Sequence, residues 1–247
     1  MVNAFLWGFL ATFSLAVGGL IAILFKIGKR PLGLIMAFGA GVLLSAVAYE
    51  LIFKAVKGST GSGASLIGFF AGAIVFFLVD LLISKMGAGG RKDIMGVHKE
   101  NVAMPIVLAT ILDGIPETLC IGMSLLGGAE VGLGMLVAVF ISNLPEAIAG
   151  TSGMIAGGWK SRKILLLWLL ISVVCAFASL AGFSLLGNAN PTTISFIQTF
   201  AAGAILVMLS NTMIPEAYEH GGKLAGIFTV LGFAVAVSIA VFEMVPK

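Results

Sequence analysis

The chain has 247 residues, of which 60% are hydrophobic and only 10% charged, with a formal net charge of +3 and a mean hydropathy of +1.15. Soluble domains carry about 25% charged residues, so the composition excludes a soluble enzyme or binding domain and predicts a polytopic membrane protein. Cys120 and Cys175 fall in separate apolar runs, which excludes a disulfide framework or a cysteine-based metal motif, and no basic stripe suggests a nucleic-acid partner.

In chain order, the first apolar run covers residues 3–25. Lys26, Lys29 and Arg30 follow it instead of preceding it, so the sequence predicts an uncleaved helix and not a secretory signal. Further apolar runs, broken at Gly, Pro, Ser and charge clusters, lie near 31–53, 66–85, 104–127, 131–157, 163–187, 193–217 and 223–245. A membrane-crossing helix needs about 20 apolar residues, and each run supplies them. The expectation is an all-α fold of eight transmembrane helices, spans 1 to 8, forming one transporter domain over residues 1–247. The polar stretch 86–102, with Arg91, Lys92, Asp93, His98, Lys99 and Glu100, is the one long loop.

Eleven of the 14 basic residues lie in connectors after odd-numbered spans: Lys26, Lys29, Arg30, Lys85, Arg91, Lys92, Lys99, Lys160, Arg162, Lys163 and Lys223. Only Lys54, Lys57 and Lys247 lie on the other side. The positive-inside rule then places both termini outside and the 86–102 loop in the cytoplasm. Two echoes suggest internal symmetry. Phe38-Gly-Ala-Gly-Val-Leu-Leu44 in span 2 is matched by Phe200-Ala-Ala-Gly-Ala-Ile-Leu206 in span 7, and Ile115-Pro-Glu-Thr-Leu119 in span 4 by Leu144-Pro-Glu-Ala-Ile148 in span 5. Each pair is antiparallel in this topology, so the expectation is of inverted repeats, spans 1–3 and 6–8, around a central span 4/5 pair.

Seven of the 11 acidic residues lie inside spans: Glu50, Asp80, Asp113, Glu117, Glu146, Glu216 and Glu243. A carboxylate at the bilayer centre costs about 2.5–3.5 kcal/mol, and no Lys or Arg lies at that depth to offset it. The partner must be a bound cation or protons. Asp113 and Glu117 share one face of span 4, and Ser142 and Glu146 repeat the spacing on span 5, with Asn143 beside them. Oxygen-rich groups of this kind suit divalent cations. Pro116 and Pro145 lack an N–H and free the carbonyls of Leu112 and Ile141, while Pro215, beside Glu216, frees that of Asn211. Freed carbonyls are tolerated at membrane depth where they line a cavity or find a partner. By depth, Glu50 falls near the outer end of span 2 and Asn211 and Glu216 toward the inner end of span 7, so the set could mark a path. Asp80 and Glu243 lie near span ends, where snorkelling accounts for them.

At these residues the sequence resembles the ZIP (Zrt/Irt-like) family of divalent metal transporters, whose central spans carry His-Asn-x-Pro-Glu-Gly-like motifs. The matching segments are Asp113-Gly-Ile-Pro-Glu-Thr118 and Ser142-Asn-Leu-Pro-Glu-Ala147. The resemblance implies that Glu117 and Glu146 ligate the metal, that Asp113 does so where the family has a histidine, and that the ion moves toward the cytoplasm. Here the family's span-4 His and Asn are Asp113 and Gly114, and its span-5 His is Ser142. Losing imidazole favours harder ions such as manganese, with zinc and iron still open.

The resulting expectation is a secondary transporter of a divalent metal in the cell membrane. Its metal residues are Asp113, Glu117, Ser142, Asn143, Glu146, Asn211, Glu216 and Glu50. The ion is substrate, with no permanent cofactor; the other partner is the lipid bilayer, and a homodimer is open. A proton-coupled carrier of a small organic solute and a non-transporting metal sensor are the alternatives. An enzyme is not expected, since His-Glu-x-x-His is absent.

Overall fold

The computed structural model describes residues 1–58, 63–85, 103–128 and 131–244, so the predicted loop at 86–102 lies outside the described residues. All regular structure among them is helical. Eight helices are long and apolar enough to cross a membrane: span 1 Val2–Leu24, span 2 Lys29–Gly58, span 3 Ala64–Ile83, span 4 Ile106–Ser124, span 5 Leu133–Ala156, span 6 Ser161–Leu186, span 7 Pro191–Gly221 and span 8 Leu224–Val241.

Spans 2 and 7 run past the predicted ends at 53 and 217: each contains a π-helical segment, Val47–Phe53 and Leu209–Met213, and then resumes as α-helix. Apolar content thins out in these last turns, which is why the hydropathy pattern ends early. Span 1 is interrupted at Phe13, which the sequence pattern did not predict. Thr12 Oγ1 donates to the Gly8 carbonyl at 2.9 Å and Ser14 Oγ to that of Ala11 at 2.8 Å, while Ser172 Oγ of span 6 donates to the Thr12 carbonyl at 2.8 Å. Hydroxyls bonded back onto turn carbonyls bend a helix.

The helices pack as two bundles. Spans 1, 4, 5 and 6 pack chiefly on one another, and so do spans 2, 3, 7 and 8; span 2 against span 5 and span 4 against span 7 join the two. Lipid tails are as apolar as leucine, so membrane helices associate through close packing, and glycine sets the approach. A Cβ on Gly41 would stand 2.8 Å from the Phe233 backbone nitrogen, and one on Gly203 3.0 Å from that of Ala73. Conversely, Gly232 packs on the Phe38 carbonyl and Gly72 on the Phe200 carbonyl. In the first bundle, Trp168 is fully buried against Gly19 and Gly150, and its indole N–H donates to Thr151 Oγ1 at 2.8 Å. A single indole thus ties together spans 1, 5 and 6.

Candidate metal site

Asp113 and Glu117 stand one turn apart on span 4, each 2% exposed, and Ser142, Asn143 and Glu146 on span 5 are 1%, 3% and 5% exposed. Spans 4 and 5 are the ones through which the first bundle meets the second, and all five side chains are buried. Pro116 and Pro145 both sit inside continuous helices. Each therefore removes one backbone donor from the helix ladder, beside the acid that follows it.

Span 2 meets span 5 at this level through Gly39. A Cβ there would lie 3.2 Å from Ser142 Cα, 3.1 Å from the Met213 methyl and 3.6 Å from the Ile141 carbonyl oxygen. The absence of a side chain at 39 leaves the carbonyl that Pro145 frees uncovered by span 2. Ser142 Oγ donates to the Val139 carbonyl at 3.1 Å, which commits its proton to its own helix and leaves its lone pairs as the acceptor. The Asn143 amide nitrogen is buried with no hydrogen-bond partner among the described residues.

The remaining predicted residues are not part of this group. Glu50 is 6% exposed, in the π-helical segment of span 2, where it pairs with Lys54 and lies against Gly132 and Gly134 at the start of span 5. Gly134 and Glu146 are separated by twelve residues of span 5, about 18 Å of helix. Asn211 is exposed in the π-helical segment of span 7, and Glu216 is half-buried one turn beyond it. Among the described residues, no three His, Cys, Asp or Glu side chains stand close enough to hold a metal ion. In this conformation the buried acids of spans 4 and 5 therefore do not form a three-carboxylate cluster.

One neighbour of the site was not singled out from the sequence. Cys175 of span 6 places its sulfur 2.7 Å from where a Cβ on Gly114 would be, and Glu117 is near enough to act electrostatically on both Cys175 and Cys120. Gly114 and Cys175 are 61 residues apart, and no spacing rule joins them; the pairing arises from the packing of span 4 on span 6.

Fold and site together define a polytopic α-helical membrane protein with buried carboxylates on its central pair of spans. No family model matches the chain. The zinc transporter zipt-7.2 of Caenorhabditis elegans is 27% identical over 138 residues, 51% of this chain and 29% of that protein. The zinc transporter GufA of Myxococcus xanthus is 31% identical over 127 residues, 51% of this chain and 50% of that protein. The zinc transporter ZIP11 of Homo sapiens is 24% identical across 96% of this chain and 94% of its own length. The match thus spans half or less of the first two relatives and nearly all of the third. These likenesses place the chain among the relatives of the ZIP metal transporters.

Proposed function

We propose that this protein carries a divalent metal ion across a membrane, with Glu117 and Glu146 as its principal ligands and Asp113 and Asn143 beside them. In the described conformation the three acids are not close enough to hold one ion together, so the set closes on the ion only in another state of the transport cycle. The observation that carries this reading is the burial of all four side chains on two spans that pack on each other. Charge on buried acids is costly in a bilayer, and a cation entering from water offsets that cost. The uncovered Ile141 carbonyl and its counterpart at Leu112 add neutral oxygens, with Ser142 a further acceptor. Glu50, Asn211 and Glu216 then lie along the path toward either end. Zinc is the metal in the relatives' names, while a donor set without imidazole also suits manganese and ferrous iron.

Two bundles joined at spans 2/5 and 4/7 are the parts whose relative movement would expose the site alternately to each side. The inverted-repeat reading is supported by register. Gly41 lies three residues after Phe38 and packs on Thr229, while Gly203 lies three after Phe200 and packs on Phe69; each π-helical segment begins nine residues after its phenylalanine. The basic connectors favour both termini outside a cell membrane, and the family resemblance favours uptake toward the cytoplasm. Homodimer formation is compatible with the lipid-facing spans 3 and 8.

Purified protein in liposomes is the test, with radiotracer uptake measured for zinc, manganese, iron and cadmium. The expected result is uptake of at least one metal and its loss in Glu117→Ala and Glu146→Ala. A proton flux driven by an organic solute, with no metal uptake, would favour the carrier reading. Normal metal uptake by both variants refutes this site.

A further inference from the structure

Glu50 is a buried acid that already has a cation. Its carboxylate receives the Lys54 ammonium one turn along the same helix, while the Lys54 side chain is 49% exposed. On its other side it lies over the first turn of span 5. Its oxygens stand 3.3 Å from where a Cβ on Gly134 would be and 3.4 Å from one on Gly132, and the Gly132 N–H is taken by Ser124 Oγ at 3.2 Å. The bare backbone at these two positions lets the carboxylate lie close, and a Cβ on Gly134 would press it back by a few tenths of an ångström. The first N–H groups of a helix lack intrahelical acceptors and carry its positive end, so the carboxylate sits where its charge is favoured twice over. The contact joins span 2 of one bundle to span 5 of the other.

We propose that Glu50 is a latch that closes one end of the transport path by docking, with Lys54 as its counter-ion, on the glycine-bare first turn of span 5. This rests on the alternating-access reading above and gives Glu50 a role other than holding the transported metal. The π-helical segment Val47–Phe53 supplies the movement. A π turn holds one residue more than an α turn, so its reversion to α-helix rotates the neighbouring stretch by about 100°. That rotation lifts the carboxylate off the glycines. The path then opens at the end where span 2 finishes and span 5 begins, the outer end in the proposed topology.

The test is a cysteine reporter at Met135, which is 2% exposed immediately after Gly134. Met135→Cys is placed in a Cys120→Ala/Cys175→Ala background, in sealed right-side-out and inside-out vesicles, and treated with a membrane-impermeant thiosulfonate. Glu50→Gln should raise the labelling rate about tenfold from one face only, by enlarging a minor open population. Gly134→Ala, which crowds the carboxylate while keeping its charge, should raise it in the same direction. An Ile164→Cys reporter, fully buried in span 6, must stay unlabelled. Flat labelling in both variants, or a parallel rise at Ile164→Cys, overturns the latch. Metal uptake in the same vesicles keeps the two ideas apart: flat labelling with normal uptake sinks the latch alone, whereas a labelling contrast without uptake sinks the transport reading and leaves the docked contact standing.

Discussion

Close approach of backbones at glycine makes a prediction whose size follows from the packing of span 2 on span 8. A methyl group on Gly41 would lie 2.8 Å from the Phe233 nitrogen and 2.8 Å from the Thr229 carbonyl carbon. Ordinary contact is about 3.5–4.0 Å, so these two contacts alone require span 2 and span 8 to part by at least about 0.7–1.2 Å. The obstructing atoms are backbone and cannot rotate away. Overpacking of this kind costs about 1–3 kcal/mol, against which alanine recovers about 0.5–1 kcal/mol of helix propensity. With the Thr229 oxygen closer still, the net loss for Gly41→Ala falls near 2 kcal/mol. At about 2–4 °C per kcal/mol for a chain of this size, Tm in detergent drops by about 4–8 °C. Gly226→Ala is the control, because nothing lies within 4 Å of its Cβ position, and it should hold or raise Tm. Gly114→Ala falls between them, since its obstruction is the end of the Cys175 side chain. Thermal unfolding followed by tryptophan fluorescence reads all three. A Tm for Gly41→Ala equal to or above that of Gly226→Ala refutes the reasoning.

Other outcomes are open to the same preparations. Pro145→Ala restores a donor for the Ile141 carbonyl, so it should raise thermal stability, an interior proline costing a helix about 3 kcal/mol, while lowering metal uptake about tenfold, as one lost contact of about 1.4 kcal/mol would; increased uptake contradicts the role of that carbonyl. Trp168→Phe removes the donor to Thr151 Oγ1, and a buried group losing its partner costs about 1–3 kcal/mol. Adding Thr151→Val should recover part of that loss, and full additivity in a double-mutant cycle would argue against the bond. Asp113→His returns the imidazole of the family motif, so competition assays should show preference moving from manganese toward zinc; an unchanged ratio removes Asp113 from the donor set.

The number and order of the spans are legible because an apolar run of membrane length has one outcome in a bilayer, and the structure contains eight. That Asp113, Glu117, Ser142, Asn143 and Glu146 would be buried is legible because polar residues beside Pro-Glu pairs in apolar runs are costly facing lipid, and all five are buried. What escapes the sequence depends on contacts between distant residues. The break at Phe13 comes partly from Ser172, 160 residues from the carbonyl it engages. Gly39 owes its importance to Ser142 and Met213, and Gly114 to Cys175. The π-helical segments of spans 2 and 7 leave no mark in a hydropathy pattern, since adding one residue to a turn changes register and not composition.

Average hydropathy nevertheless carries more than the number of spans. Spans 3, 6 and 8 have hydropathies of 2.6, 2.7 and 2.4 and are 22%, 39% and 22% buried, whereas spans 4, 5 and 7, at 1.6, 1.6 and 1.7, are 61%, 67% and 50% buried. In a bilayer the cost of polar groups turns them inward, so a span with lower hydropathy belongs to the interior. Span 2 departs from the trend, at 2.0 and 67% buried. Its buried residues interleave Gly33, Ala37, Gly39, Ala40, Gly41 and Ala46 with the bulkier Leu32, Met36, Val42 and Leu43, so this span is buried through close apolar packing more than through polar chemistry. Small residues bring a backbone close without fixing it through bulky interlocking. Span 2 thus presents a glycine where it crosses span 5 at Gly39, and holds its charged contact, Glu50, at one end. If the bundles move relative to each other, this is the surface on which they slide, and replacing Gly39 with leucine should arrest uptake while leaving the Trp168–Thr151 contact intact.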